Sequence, residues 1–236
     1  MVNYWCKAWA NKYSQAISKV EWVIKLIKHV FFDFNGTIID DVDLCLELLN
    51  DILRKQNKPL CDKNKYKHVF KFPIRQYYID AGVDFSIESY ESLAEEFIGK
   101  YQPRSLSECK LYDGCVEAFK RLNEMGVSIY ILSASHRTNL IEQTDHYGIT
   151  QYFKDVLGID NIHAASKVHV GIDYMKENSI DPSEACFIGD TLHDHEVAEA
   201  MGVKCFLVEC GHQARDVLEA SGVEVLANTK DIVERI

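Results

Sequence analysis

A chain of 236 residues can bury a sizeable core, as one large domain or as a domain carrying a smaller insertion. Its formal net charge of −10 argues against nucleic acid or an anionic membrane as the main partner, so any phosphate it handles needs local compensation by lysine, backbone N–H groups or a metal. Eight cysteines with no CxxC pair, no apolar run long enough to cross a bilayer and no signal-peptide pattern read as a cytoplasmic protein with reduced thiols.

Residues 1–27 are rich in Trp, Tyr and Lys, and the apolar positions Ile17, Val20, Trp22, Val23 and Ile24 predict a partly amphipathic helical extension. From His29 the pattern becomes an apolar run, Val30-Phe31-Phe32, cut off by Asp33-Phe34-Asn35-Gly36-Thr37. That reads as a strand buried on both faces that delivers polar groups to a sheet edge. Helical spacing follows at Leu44, Leu48, Leu49, Ile52 and Leu53, then a lysine-rich stretch over 57–72. Pro73 opens another helical stretch, and Ile87 to Tyr101 a further one. Pro103 to Glu108 reads as a return linker. Residues 42–105 are therefore expected to form an all-helical insertion between 28–41 and 106–236.

Strand and helix alternate from there. Helices are expected over 113–125, 138–147, 167–178 and 193–201, and strands over 127–132, 185–188 and 203–208. This order implies an α/β fold: a Rossmann-like, mostly parallel sheet with helices on both faces, plus the inserted helical cap domain. Ligands of such sheets bind outside the carboxyl ends of the strands, where Asp33, Ser133, Asp190 and Glu209 would lie.

A carboxylate at Asp33 can be a nucleophile, a metal ligand or a general base, or it can simply cap a turn. Gly36 suits close backbone approach, and Thr37 offers a hydroxyl and an N–H to an anion. In Gly189-Asp190-Thr191-Leu192-His193-Asp194 the two aspartates fall one helical turn apart. Beside Asp33 they would make a hard-oxygen site suited to Mg²⁺; capping of the helix by Asp190 is the plainer alternative. Ser133 ends its strand where a helix follows, and its hydroxyl and the next N–H groups, Ala134 first, could hold a phosphate; Lys167 begins a helix and could neutralise it, a solvated surface lysine being the plainer alternative.

Taken in order, Asp33-Phe34-Asn35-Gly36-Thr37, Ser133, Lys167 and Gly189-Asp190-Thr191-Leu192-His193-Asp194 resemble the four motifs of the haloacid dehalogenase (HAD) superfamily, over roughly residues 28–225. The helical insertion resembles the cap of phosphoglycolate-phosphatase-like members. The resemblance implies a Mg²⁺-dependent phosphatase of a small phosphorylated metabolite. Asp33 would form an aspartyl-phosphate; Ser133 and Lys167 would bind the phosphoryl group, with Gly36, Thr37 and Ala134 around it. Asp33, Asp190, Asp194 and the backbone carbonyl of Asn35 would hold the metal. A monomer or a weak homodimer is expected.

Asn35 departs from that pattern. Family phosphatases carry an aspartate there, as general acid and base, and an amide cannot exchange a proton in its place. Either the leaving group needs no acid, or His136, Asp40, Asp41 or a cap residue supplies the proton, or the protein senses a phosphorylated ligand and turns it over poorly. Cleavage of a C–halogen or C–P bond is the other hydrolase reading. Lys63, Lys65, Lys67 and Lys71 either favour an anionic substrate or form a solvated face. Phe72, Pro73, Arg75, Tyr77 and Tyr78 are candidates for a pocket roof. His193 and His195 read as solvated or capping rather than metal-binding, and Glu209 as a supporting or hinge residue.

Overall fold

The structure is a computed structural model that describes residues 26–159 and 167–236. The extension expected over 1–27, apart from Leu26 and Ile27, and the Ala164-Ala165-Ser166 stretch before Lys167 lie outside the described residues. Six strands, β1 (His29–Phe32), β4 (Ser128–His136), β5 (Asp155–Ile159), β6 (Ala185–Gly189), β7 (Lys204–Val208) and β8 (Val225–Leu226), form a parallel sheet in the order β5-β4-β1-β6-β7-β8. The order reverses direction on either side of β1, so β1 is central and its carboxyl end opens at the topological switch point. Two short strands, β2 (Ile39–Asp40) and β3 (Lys110–Leu111), pair antiparallel and frame the insertion.

β1 shows why the sheet is buried on both sides. Val30 and Phe32 point into one apolar cluster, with Phe119, Ile129 and Ile188, under α5 (Cys115–Glu124) and α6 (Arg137–His146). Phe31 points into the other, with Tyr130, Phe187 and Val197, under α7 (Lys167–Glu177) and α8 (Leu192–Met201). This is the period-two alternation of a strand sandwiched between helical layers.

Between β2 and β3 lie α1 (Val42–Lys55), α2 (Lys63–Val69), α3 (Ile74–Ala81) and α4 (Tyr90–Glu108). They share an apolar cluster of their own, with Leu49, Leu53, Tyr66, Tyr77, Tyr78 and Leu93 at its centre. The expected linker at Pro103 to Glu108 is instead the end of α4. Proline removes one helical hydrogen bond, but tertiary bonds hold the following turn: Ser105 Oγ accepts from Gln143 Nε2 at 2.8 Å and Ser105 O from Tyr147 Oη at 2.6 Å. A short C-terminal helix, α9 (Arg215–Glu219), follows β7. Among the described residues no helix is long and apolar enough to cross a membrane.

Candidate active site

Five of the expected residues meet where the sheet opens. Asp33 leaves β1, its N–H donating to Ile188 O at 2.9 Å, so its side chain stands beside the end of β6, from which Asp190 emerges. Ser133 lies where the register of β4 on β5 shifts, between Leu132 and His136, an irregularity of the kind that re-aims side chains at a sheet end. Asp194 sits one turn into α8, where its Oδ2 accepts from the Thr191 N–H at 2.9 Å and the Thr191 hydroxyl at 2.7 Å. Lys167, the first residue of α7, donates from Nζ to Asp33 Oδ1 at 2.8 Å and also to Asp194 Oδ1.

Asp33, Asp190 and Asp194 are all buried, and one ligand atom of each lies within 4.8 Å of the other two. Burial pushes the Asp33 carboxyl up to about 6 against the pull of Lys167, with Asp194 adding repulsion. Burial pushes Asp190 up to about 7 against the pull of His212. Burial also opposes ionisation of Asp194, but the Lys167 ammonium outweighs it and holds that carboxyl below its usual range. Two of three clustered carboxylates thus lack sufficient countercharge. That donor set, hard oxygens only and short of positive charge, fits a divalent cation such as Mg²⁺.

Glycines let these carboxylates pack so tightly. Gly36 has φ +70°, and a Cβ there would fall 2.2 Å from Asp190 Oδ2. A Cβ on Gly211 would meet the same oxygen at 2.2 Å, and one on Gly189 would meet Asp194 Cγ at 2.3 Å. The close approach expected of Gly36 is therefore toward Asp190. Gly36 and Thr37 are not among the cavity-lining residues: the Gly36 N–H donates to Asp41 Oδ1 at 3.0 Å and the Thr37 hydroxyl to Asp190 Oδ1 at 3.2 Å. Ser133, Ala134 and Lys167 do line the cavity.

The Asn35 amide is fully engaged. Its Nδ2 donates to Asp41 Oδ2 at 2.9 Å and to Tyr101 Oη at 2.5 Å, and its Oδ1 accepts from Ser135 Oγ at 3.1 Å. Tyr101, on α4, donates in turn to Asp41 Oδ2 at 2.7 Å. Asp41 Oδ1 lies 3.2 Å from His212 Nε2. Burial opposes its ionisation, but His212, with Tyr101 and Asn35 behind it, outweighs burial and keeps Asp41 below the usual carboxylate range. Burial would likewise discharge His212, yet Asp41 and Asp190 hold its imidazolium up to about 9. The His212 N–H donates to Asp190 Oδ2 at 2.6 Å, and Nδ1 lies 2.8 Å from Tyr66 Oη. Asp41, Cys45 and His212 could also bring ligand atoms together. Both His212 ring nitrogens are already paired, however, and burial pushes the Cys45 thiol up, so this triad is a closed hydrogen-bonded knot and a poor metal site.

His212, Tyr66 and Tyr101 escape a reading of the sequence. The only signal for His212 is its place directly after Glu209-Cys210-Gly211 at the end of β7. Glu209 itself pairs with Arg215 at 3.2 Å, and its carbonyl accepts from Lys67 Nζ at 3.0 Å. His136 lines the cavity and caps α6. His193 stacks under Phe72 with ring centroids 4.5 Å apart, and His195 lies 3.7 Å from Glu199.

The cavity between the sheet end and helices α1–α4 has a volume of about 410 Å³. Asp33, Asp190, Asp194 and Lys167 form its floor; Phe72, Tyr77 and Tyr78 are in its roof, as expected. Pro73 and Arg75 are not, Arg75 lying over the Phe85 ring at 4.9 Å. None of the four insertion lysines lines it: Lys63 pairs with Asp43, Lys65 donates to Ala81 O, Lys67 to Glu209 O, and Lys71 pairs with Asp80.

Residues 30–208 match the family model of haloacid dehalogenase-like hydrolases. The phosphoglycolate phosphatase of Pseudomonas fluorescens (strain Pf0-1) is 27% identical over 218 residues, covering 89% of this chain and 79% of that protein. Phosphoglycolate phosphatase 1 of Pseudomonas aeruginosa is 24% identical over 220 residues with the same coverage, 89% and 79%. Among solved structures, a haloacid dehalogenase-like family protein from Streptococcus pneumoniae superposes with a TM-score of 0.75 at 16% identity, covering 89% of this chain and 98% of that one. A predicted phosphatase from Clostridium acetobutylicum gives 0.74 at 19% identity, with coverage of 89% and 98%. With the family model covering most of the chain and the parallel sheet bringing Asp33, Ser133, Lys167 and Asp190 to one opening, this chain belongs to the haloacid dehalogenase-like hydrolases.

Proposed function

We propose that the protein is a Mg²⁺-dependent phosphatase of a small phosphorylated metabolite, acting in the cytoplasm through an aspartyl-phosphate on Asp33. The observation that carries this is the buried group Asp33–Lys167–Asp194–Asp190 at the floor of a cavity that Ser133 also lines. Asp33 attacks phosphorus. Lys167 neutralises charge on the phosphoryl oxygens, and Ser133 and Ala134 hold them from the β4 side. Asp33, Asp190, Asp194 and the Asn35 carbonyl are the residues that would hold the metal, which supplies charge stabilisation for the transferring group. Gly36 and Thr37 support the site from behind by packing and bonding to Asp190.

Helices α1–α4, roughly residues 42–105, form the cap on a core of 28–41 and 106–236. The cap excludes water while the acyl phosphate exists. The cytoplasmic assignment rests on seven free thiols among the described residues. Nothing in the site calls for a second subunit, so a monomer or a weak homodimer suffices.

The test is phosphate release from a panel of phosphomonoesters with Mg²⁺. Asp33→Asn should abolish turnover of every ester the wild type cleaves, by at least about 10³-fold, while still unfolding in a single cooperative transition. Turnover by Asp33→Asn, or wild-type activity that survives EDTA, would overturn the reading.

A further inference from the structure

The cavity walls and the amide at position 35 point independently to one kind of leaving group. Above the charged floor, the walls are mostly rings and aliphatic side chains, Tyr66, Phe70, Tyr77, Tyr78, Phe97 and Tyr101 among them, with Gln102, His136 and Asn139 as polar members. Several already pair with one another, Phe70 with Tyr77 at 4.9 Å and Phe97 with Tyr101 at 5.8 Å, the latter stacked within 8° of parallel. Among the described residues the basic side chains lining the cavity are Lys167, His212 and His136; the first two are paired to carboxylates of the floor and its rim, and His136 Nδ1 is occupied by the Thr138 N–H. No arginine and no insertion lysine reaches it. A second anionic group on the substrate, such as the carboxylate of phosphoglycolate, would be desolvated against tyrosine and phenylalanine rings with no arginine and no lysine besides the floor's Lys167 to meet it. A flat apolar group would be held by stacking and by exclusion of water.

Asn35 restricts the leaving group in the same direction. The amide's donors and acceptor are all taken by Asp41, Tyr101 and Ser135, and it has no proton to give. An alkoxide leaving unprotonated has a conjugate acid near that of water, roughly 16, whereas a phenolate has one near 10. The second class departs without help from an acid.

From these two observations we infer that the substrate is an aryl phosphate, a phosphomonoester of a phenol-type hydroxyl whose ring occupies the cap cavity. This rests on the phosphatase reading above. In the first step an Asp33 oxygen bonds to phosphorus as the phosphorus–aryl oxygen bond breaks. The aryl oxygen keeps the electron pair and leaves as phenolate. In the second step water attacks the phosphorus of the aspartyl-phosphate, regenerating the Asp33 carboxylate and releasing orthophosphate. One proton of that water ends on the phenolate or the phosphate, so the net reaction is hydrolysis of one ester by one water.

The test measures kcat/KM with Mg²⁺ for phenyl phosphate, phosphotyrosine, glycerol phosphate and phosphoglycolate. The aryl esters should exceed the other two by at least about 100-fold. Across substituted phenyl phosphates, kcat/KM, which reports the step that expels the phenolate, should rise steeply as the phenol becomes more acidic, the signature of a leaving group that receives no proton. Ala94→Lys would place a cation in the cavity wall. It should raise KM for phenyl phosphate and shift the aryl-to-phosphoglycolate ratio at least tenfold toward phosphoglycolate. A wild-type preference for phosphoglycolate or glycerol phosphate would overturn the aryl assignment and leave the phosphatase reading standing. Absence of phosphate release from all four esters would overturn both. A flat dependence of kcat/KM on phenol acidity would also overturn it, because an acid would then be protonating the leaving oxygen.

Discussion

Asn35 is better understood through Asp41 than through the reaction alone. Its Nδ2 sits 2.9 Å from Asp41 Oδ2, and Asp41 is already ionised by its partnership with His212. A carboxylate at position 35 would face a second carboxylate in a buried space, so one of the two would have to take up a proton. Asn35→Asp is therefore expected to destabilise the protein and not to gain general-acid function cleanly. The sign with pH follows directly. A carboxyl whose pKa is raised on folding favours the folded state only when protonated, so the penalty grows as pH rises and eases as pH falls. The melting temperature of Asn35→Asp should lie further below wild type at pH 8 than at pH 5. Adding Asp41→Asn should recover part of the loss, with a coupling of about 0.5–3 kcal/mol between the two sites. Equal deficits at both pH values would mean that the carboxylates do not meet.

The secondary elements show why some of this was legible and some was not. β1, β4, β6 and β7 are apolar runs that end in polar residues, and the sequence pattern alone places them, together with Asp33, Ser133 and Asp190. β5 has only Val156, Leu157 and Ile159 around a glycine, and β8 is two residues long, so neither makes a run. α4 runs through Pro103 because Gln143 and Tyr147 hold Ser105, contacts some forty residues distant that no local propensity encodes. His212 was silent for the same reason: its partners, Asp41, Tyr66 and Asp190, come from three other segments. Gln213 beside it ties elements together more directly. Its Oε1 accepts from the Leu192 N–H at 2.7 Å, capping the first turn of α8, and its Nε2 donates to Phe70 O at 2.7 Å, at the end of α2. Gln213→Ala leaves a half-buried helical N–H at Leu192 and the Phe70 carbonyl without these partners. It should cost about 1–3 kcal/mol in denaturant unfolding. Because the lost bonds join the end of α2 to the start of α8, KM should rise more than kcat falls; an unchanged KM would show that α2 stays seated without Gln213.

The fold as a whole concentrates an acidic protein's charge problem in one place. With no metal bound, three groups at the sheet opening titrate between about pH 6 and 9 with pKa values raised by the folded surroundings: Asp33 at about 6, Asp190 at about 7, and His212 at about 9. Burial raises the two acids; for His212 burial works the other way and is overcome by Asp41 and Asp190. A raised pKa means the folded state binds more protons than the unfolded chain, so stability is lost as pH climbs through these values. The acids contribute that loss from about pH 4 to 7, and His212 from about 6.5 to 9. Asp41 and Asp194 are lowered and work in the opposite sense, but their contribution is lost only below the ordinary carboxylate range, outside this window. In EDTA the melting temperature should therefore fall steadily from pH 5 to pH 8.5. Mg²⁺ held there as proposed would compete with protons for the Asp33 and Asp190 carboxylates, so its stabilisation should grow as the pH rises. At a hundredfold excess over its Kd the gain is about 2.7 kcal/mol, or roughly 5–10 °C for a chain of this length. Asp190→Asn should remove most of that gain and flatten the EDTA profile between pH 5 and 7. A melting temperature that rises with pH in EDTA would mean the three carboxylates are already compensated within the protein, and the case for a divalent cation at the sheet opening would fall with it.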